Sequence, residues 1–455
     1  MEVKQNNIMA ERGNFGTKIG VVLATAGSAV GLGNIWRFPY MAGQDGGAAF
    51  ILLYAVCILM LGIPGMVAEF IVGRHGASNA VRAYFKMGGR GWSAIGYMGT
   101  VTSMIILGFY AVIAGWCLQY LVASCMGSLN GDSTYVANYF KEFSSAPLLP
   151  ALWTVVFIVI THLVVIRGVR KGIEKFSNAL MPVLFVLLLI IVVASCSLPG
   201  AMEGVEFLFK PDFSRMSRGV MLDALGQAFF SLSLGTACLC TYASYFSRQT
   251  NLLKTAGQIA LIDTAIAVLA GLMIFPAAFS VGVRPDSGPS LIFITLPNVF
   301  QQAFSSVVGY VIAILFYALL SLAALTSTIS MHEIGTSFFY EELHVSRKRG
   351  ALIETVACCV IGVLCSLSCG AVDLSLFGKS FLDCCDYLTS NILLPLGSFF
   401  TCILVGWVVP WQTIRDEVTN WSTLRASLFS VWLFIVRFIS PVCILLVFLH
   451  QMGVI

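Results

Sequence analysis

Ala26-Gly27-Ser28-Ala29-Val30-Gly31-Leu32-Gly33-Asn34-Ile35-Trp36-Arg37-Phe38-Pro39 begins as an apolar helix and is interrupted by glycines, then at once by an amide, a cation and a proline. It reads as a membrane helix broken in its middle. Hydrocarbon cannot satisfy the carbonyls and amides that such a break frees, so a break survives only where it is buried in protein or lines a ligand cavity. A lone glycine here would ordinarily mean close helix packing. Grouped with Asn34, Arg37 and Pro39, the glycines mark a binding site, because intramembrane polar groups are costly and tend to be functional.

The rest of the chain agrees with a membrane setting. Hydrophobic residues make up 58% of 455 and charged residues 11%, a composition that excludes a soluble globular protein. A spanning helix needs about 20 apolar residues. Windows of that size predict eleven spans: the broken one near 15–42, then 47–72, 94–125, 149–167, 175–198, 219–246, 255–283, 303–340, 350–370, 377–408 and 427–452. The expectation is an all-α integral membrane protein of one domain, 1–455.

Short cytoplasmic loops are enriched in Lys and Arg. With the N-terminus inside, the inner loops and tail carry 18 such residues and the outer loops 6. The polar tail does not read as a signal peptide and is expected to stay in the cytoplasm, leaving the C-terminus outside. This bias accounts for the net charge of +4, which therefore says nothing of nucleic acid. The 14 cysteines lie almost all in apolar runs without metal-ligand spacing and read as small buried hydrophobes, the Cys358-Cys359 and Cys384-Cys385 pairs included.

A second interruption, Gln227-Ala228-Phe229-Phe230-Ser231-Leu232-Ser233-Leu234-Gly235-Thr236, falls five spans after the first. Paired broken segments in corresponding halves point to the binding site of a transporter built as an inverted repeat. The expected organisation is 5+5: residues 1–200 as the first five-helix repeat with the tail, 201–424 as the second, and 425–455 as an appended eleventh helix, with helices 1 and 6 discontinuous.

The residues GSAVGLGNIWRFPY, GGAAF at 46–50, SLSLG at 231–235, FITLP at 293–297 and LTSTIS at 325–330 resemble the neurotransmitter:sodium symporter family, in order from about Arg12 to Trp407. The short tails and compact loops resemble its prokaryotic amino-acid transporters, which implies a bacterial inner-membrane location. The resemblance implies sodium-coupled symport and two sodium sites. One would use Ala29, Asn34, Ser231 and Asp263 together with the substrate carboxylate. The other would use Gly27, Val30, Ala323, Thr326 and Ser327, although Ser and Thr on a helix ordinarily bond to their own backbone.

Asp263 departs from the Asn common in the family and borders the place where animal members bind chloride, beside Tyr54, Gln227 and Ser231. A fixed carboxylate there implies transport without chloride.

The resemblance also places substrate contacts at Ser28, Ala29, Gly31, Ile106, Tyr110, Phe230, Ser231, Ser233, Thr236, Ser327 and Met331. Freed amides at a helix N-terminus favour an anion, and Tyr110 matches the tyrosine that reaches the substrate carboxylate. Amine-carrying relatives have Asp where this chain has Gly31, so an amino acid is expected. The lining bears no charge, so the cargo is expected to be neutral and apolar, with Trp, Tyr or Phe ahead of Leu.

Arg37 with Asp386, or with Asp383 one turn earlier, would form an outer gate, and Arg12 with Glu341 an inner one beside Phe15. Glu69 would organise the broken helices, and Glu333 replaces a usual Gln. No channel ring, catalytic constellation or signalling domain competes, so no enzyme is expected. Sodium-independent exchange or proton coupling on the same fold remains the alternative, and oligomeric state is not legible.

Overall fold

In the computed structural model, residues 13–283, 291–376, 378–425 and 428–454 are described. Thirteen principal helices carry the fold: α1 (Lys18–Ala29), α2 (Gly33–Gln44), α3 (Ala48–Gly76), α4 (Ser93–Cys125), α5 (Leu149–Val165), α6 (Val169–Cys196), α7 (Arg218–Ser231), α8 (Cys238–Ala243), α9 (Leu252–Ser280), α10 (Ser306–Glu342), α11 (Arg347–Leu367), α12 (Phe381–Val408) and α13 (Phe429–Gln451).

Among the described residues eight helices are long and apolar enough to cross a membrane, or up to ten if each of two bent pairs is one span. The expected eleven are therefore not all single elements. The window at 219–246 is divided into α7 and α8, and neither half is long enough to cross alone. The all-α expectation also meets one exception, a two-stranded hairpin pairing Ser375–Leu376 with Lys379–Ser380.

Both interruptions have local causes. α1 stops at Ala29 because Val30 takes extended angles (φ −70°, ψ 110°), and α2 then leaves at 57° to α1. Pro39, which lacks an N–H, sits in the first turn of the α-helical part of α2, where the missing donor costs little. The second break is tighter: Ser233, Gly235 and Ala237 have φ of 54°, 82° and 61°. Left-handed angles cost an ordinary L-residue roughly 1–2 kcal/mol, so the surrounding packing must hold Ser233 and Ala237 there. Gly235 has no alternative, since a Cβ would run into the Leu394 carbonyl and stand 2.9 Å from Ser398 Oγ.

α10 packs against α4, α11, α6 and α5, while α1 crosses α10, α6 and α9. α3 packs against both halves of the second break, α7 and α8. Both breaks are thus held at mid-molecule between long helices. Gly172 lies in the π turn that opens α6, and Pro182 lies inside its α-helical part.

Candidate functional site

The two breaks meet at a buried carboxylate. Asp263 on α9 is fully buried, and its Oδ1 accepts from Asn34 Nδ2 at 2.7 Å. Its Oδ2 accepts from Ser231 Oγ at 2.7 Å and from Tyr54 Oη at 3.2 Å. Asn34 closes the knot, giving a second bond to the Asp263 carbonyl at 3.2 Å and accepting from the freed Gly31 amide at 3.1 Å. Burying a carboxylate requires such donors. Three of the expected first-site side chains, Asn34, Ser231 and Asp263, are in direct contact, and Ala29 is buried at the end of α1.

A second knot joins the first break to α10. Thr326 Oγ1 reaches the Val30 carbonyl at 3.3 Å and that of Ala323 at 2.9 Å, and Ser327 Oγ reaches the same two oxygens at 3.1 and 3.4 Å. Gly27 faces Thr326, whose Cβ would lie 3.4 Å from a Cβ at 27. The hydroxyls do bond to their own helix, yet they also bond across to Val30, which ordinary back-bonding does not require. Two carbonyls and two hydroxyls at one point form a hard-oxygen donor set suited to an alkali cation.

Between the knots, the Leu32 amide donates to Tyr110 Oη at 2.9 Å, so the phenolic proton stays available to an acceptor. A side chain at Gly31 would collide with Ser327 Oγ and stand 2.7 Å from Tyr110 Oη. Ser233 Oγ donates to the Ser28 carbonyl at 3.3 Å, tying the breaks together, and Thr236 Oγ1 donates to Ser233 O at 2.7 Å. Ile106 is buried, whereas Met331 packs with Leu107, Ala111, Ile158 and Cys358.

Above Tyr110 and Phe230 lies a vestibule of about 310 Å³ that also includes Trp36, Phe109, Arg37, Asp383 and Asp386. Arg37 and Asp386 line it without forming an ion pair: Arg37 stacks on the Phe230 ring at 4.0 Å, and Asp386 accepts from Ser390 at 2.8 Å. Asp383 is occupied in capping its own helix through Ser380. Arg37 and Asp386, expected as an outer gate, thus face the same space without an ion pair.

At the opposite end the residue following Asn14 is packed among aromatic rings. Phe15 packs edge-on against Tyr242 and Tyr245, at 5.8 and 6.2 Å between ring centres. Arg12 lies outside the described residues, and with it the expected pairing to Glu341. Glu341 itself is buried and accepts from Asn79 N at 2.7 Å and Asn79 Nδ2 at 3.0 Å. Glu69 takes the organising place expected of it, accepting the Gly235 amide at 2.6 Å.

The sequence reading missed three partnerships. Glu174 accepts from Gly16 N, Thr17 N and Thr17 Oγ1 at 2.7–3.0 Å and pins the tail to α6. Glu333 is held by Arg347 and by Tyr245 Oη, the latter at 2.6 Å, and so sits in an ion pair. Arg74 pairs with Glu417 at 2.7 Å. Each joins residues too far apart in sequence for spacing to reveal. Arg347 was legible only as an inner-loop charge, and Glu174 carried no signal.

The sodium:neurotransmitter symporter profile matches residues 12–145 and 146–455, nearly the whole chain. The chain belongs to this symporter family. It is 41% identical to the sodium-dependent transporter YhdH of Bacillus subtilis over 97% of this chain and 98% of that one. It is 26% identical to the human sodium- and chloride-dependent GABA transporter 2, over 92% of this chain and 77% of that one. The crystal structure of MhsT in complex with L-phenylalanine superposes with a TM-score of 0.88 at 39% identity, covering 97% of this chain and all of MhsT. Symporters of this family are transporters and not enzymes, and the apolar helices make this member a multi-pass membrane protein.

Proposed function

We propose that this symporter imports a neutral apolar or aromatic L-amino acid together with sodium, by alternating access and without chloride. The observation that carries the reading is the Asp263 knot, in which one buried carboxylate gathers Asn34 of the first break, Ser231 of the second and Tyr54 of α3. A carboxylate with three donors and, among the described residues, no basic partner suits a monovalent cation.

One sodium ion sits among the Ala29 carbonyl, Asn34, Ser231 and Asp263, completed by the carboxylate of the amino acid. The ion and the cargo then each lack a ligand without the other, which couples them. A second ion takes the Gly27, Val30 and Ala323 carbonyls with Thr326 and Ser327, and joins the first break to α10. Asp263 supplies the negative charge that chloride supplies elsewhere, offsetting two cations in a medium where unpaired charge is heavily penalised.

The cargo carboxylate accepts from Tyr110 Oη, and the glycine at 31 leaves no acid to pair with an amine. The complex of MhsT with L-phenylalanine supports an aromatic cargo. Closure of Arg37 onto Asp386 over Phe230, followed by release of Phe15 from Tyr242 and Tyr245, carries the cargo across. The topology of this reading is eleven spans in a 5+5 inverted repeat, with an inside N-terminus in a bacterial inner membrane.

The test is equilibrium binding of labelled phenylalanine, tryptophan and leucine to purified protein in sodium or potassium, each with chloride or gluconate. Saturable binding that needs sodium and ignores chloride is the expected result. Binding in potassium would move the reading to exchange or proton coupling.

A further inference from the structure

Two cysteines at the vestibule end of the molecule face each other across neighbouring helices. The amide of Leu382, at the start of α12, donates to Ser368 Oγ, one residue beyond α11, at 3.1 Å. One turn deeper on each helix stand Cys365 and Cys385, and their side chains hydrogen-bond to each other. The two bonds pair 382 with 368 and 385 with 365, so α11 and α12 lie antiparallel here.

Both cysteines are free thiols in the buried core, Cys365 at 0% exposure and Cys385 at 8%. Their cysteine neighbours are engaged with oxygens instead: Cys369 Sγ donates to the Cys365 carbonyl at 3.3 Å and Cys384 Sγ to the Leu376 carbonyl at 3.2 Å. Packing as a small hydrophobe accounts for either cysteine taken singly. It does not account for a thiol on each of two helices directed at the other.

We propose that Cys365 and Cys385 are a redox pair that closes to a disulfide joining α11 to α12. The oxidant is a protein or small-molecule disulfide outside the cytoplasm. The Cys385 sulfur, the less deeply buried, displaces one half of the oxidant, and the Cys365 sulfur then displaces the other half from the mixed disulfide. Two S–H bonds and the S–S bond of the oxidant break. The Cys365–Cys385 bond forms, and both protons end on the two thiols released.

The bond has a mechanical consequence. Leu382, Asp383 and Asp386 line the vestibule, and Cys385 lies between them in the chain. Closing the pair fastens the segment that carries Asp386 to α11, which restrains its approach to Arg37. That this end meets an oxidising compartment rests on the inside N-terminus proposed above. The pairing does not, so it is tested on purified protein, where a wrong orientation has no effect on the result.

Purified full-length protein is incubated with oxidised glutathione or with a reductant, then denatured, alkylated with N-ethylmaleimide and digested for mass spectrometry. The oxidised sample should yield one peptide pair joined through Cys365 and Cys385, lighter by two hydrogens than the separate peptides, and reduction should restore alkylation of both. Cys369→Ser should keep the joined pair. Alkylation or glutathionylation of both residues in place of the joined pair, or a bond made through Cys369 or Cys384, would overturn the proposal. Hydrogen exchange should show the amides of residues 381–387 opening several-fold more slowly in the oxidised than in the reduced protein, a difference that Cys385→Ala removes. Equal exchange in the two redox states would also overturn it.

Discussion

Asp263 is the residue at which sequence and structure say most to each other. Its motif position named Asn34, Tyr54, Gln227 and Ser231 as neighbours, and the structure brings Asn34, Tyr54 and Ser231 onto its carboxylate, whereas the buried Gln227 amide bonds to none of them. Asp263→Asn keeps the shape and removes the charge. Sodium affinity is expected to fall by about tenfold or more, since an unbalanced buried charge is worth several kcal/mol, with partial recovery when chloride replaces gluconate. Unchanged ion dependence in a sodium titration would remove Asp263 from the ion site.

Gly31 makes a steric argument. A methyl there meets Ser327 Oγ and Tyr110 Oη, and overpacking of this kind costs about 1–3 kcal/mol. Gly31→Ala is expected to cut phenylalanine affinity by about tenfold while the protein stays folded, read by binding alongside thermal unfolding. What the sequence could not disclose at this scale are partnerships such as Glu333 with Arg347 and Glu174 with Thr17. A charge near a span end looks solvated until the fold supplies its partner.

At the scale of the element, the first break was legible because its glycines, Asn34 and Pro39 each disfavour a continuous helix. The second was less so. Ser233 and Ala237 are ordinary residues held at positive φ by tertiary packing, and no local propensity announces them. The window at 219–246, expected as a discontinuous helix, is two short helices.

Strain at Ala237 gives a prediction of opposite sign to most substitutions. Ala237→Gly relieves a left-handed residue and is expected to raise the unfolding temperature, by the equivalent of about 1 kcal/mol. Gly235→Ala, which meets the Leu394 carbonyl, is expected to lower it. Differential scanning fluorimetry on both variants reads the pair, and equal shifts would contradict the assigned break geometry.

For the whole molecule, the charge bias and apolar windows point to the membrane class, while the difference between its two ends came only from structure. One end carries a vestibule at Arg37, Tyr110 and Phe230, and at the other a closure of Phe15 against Tyr242 and Tyr245 packs the chain in. Glu174 holds that closure through three bonds to the tail, and hydrogen bonds to a charged group are worth about 1.5–3 kcal/mol each. Glu174→Ala is expected to release the tail, seen as faster tryptic cleavage at Lys18 in inside-out vesicles. An unchanged cleavage rate would mean that the aromatic nest alone holds it.

The most direct test of sodium-coupled symport is uptake of labelled phenylalanine into proteoliposomes, with an inward sodium gradient compared with an equal potassium gradient. The account predicts transient accumulation above equilibrium with sodium alone, unaffected when chloride is replaced by gluconate. Equal accumulation with potassium, or none without chloride, would contradict it.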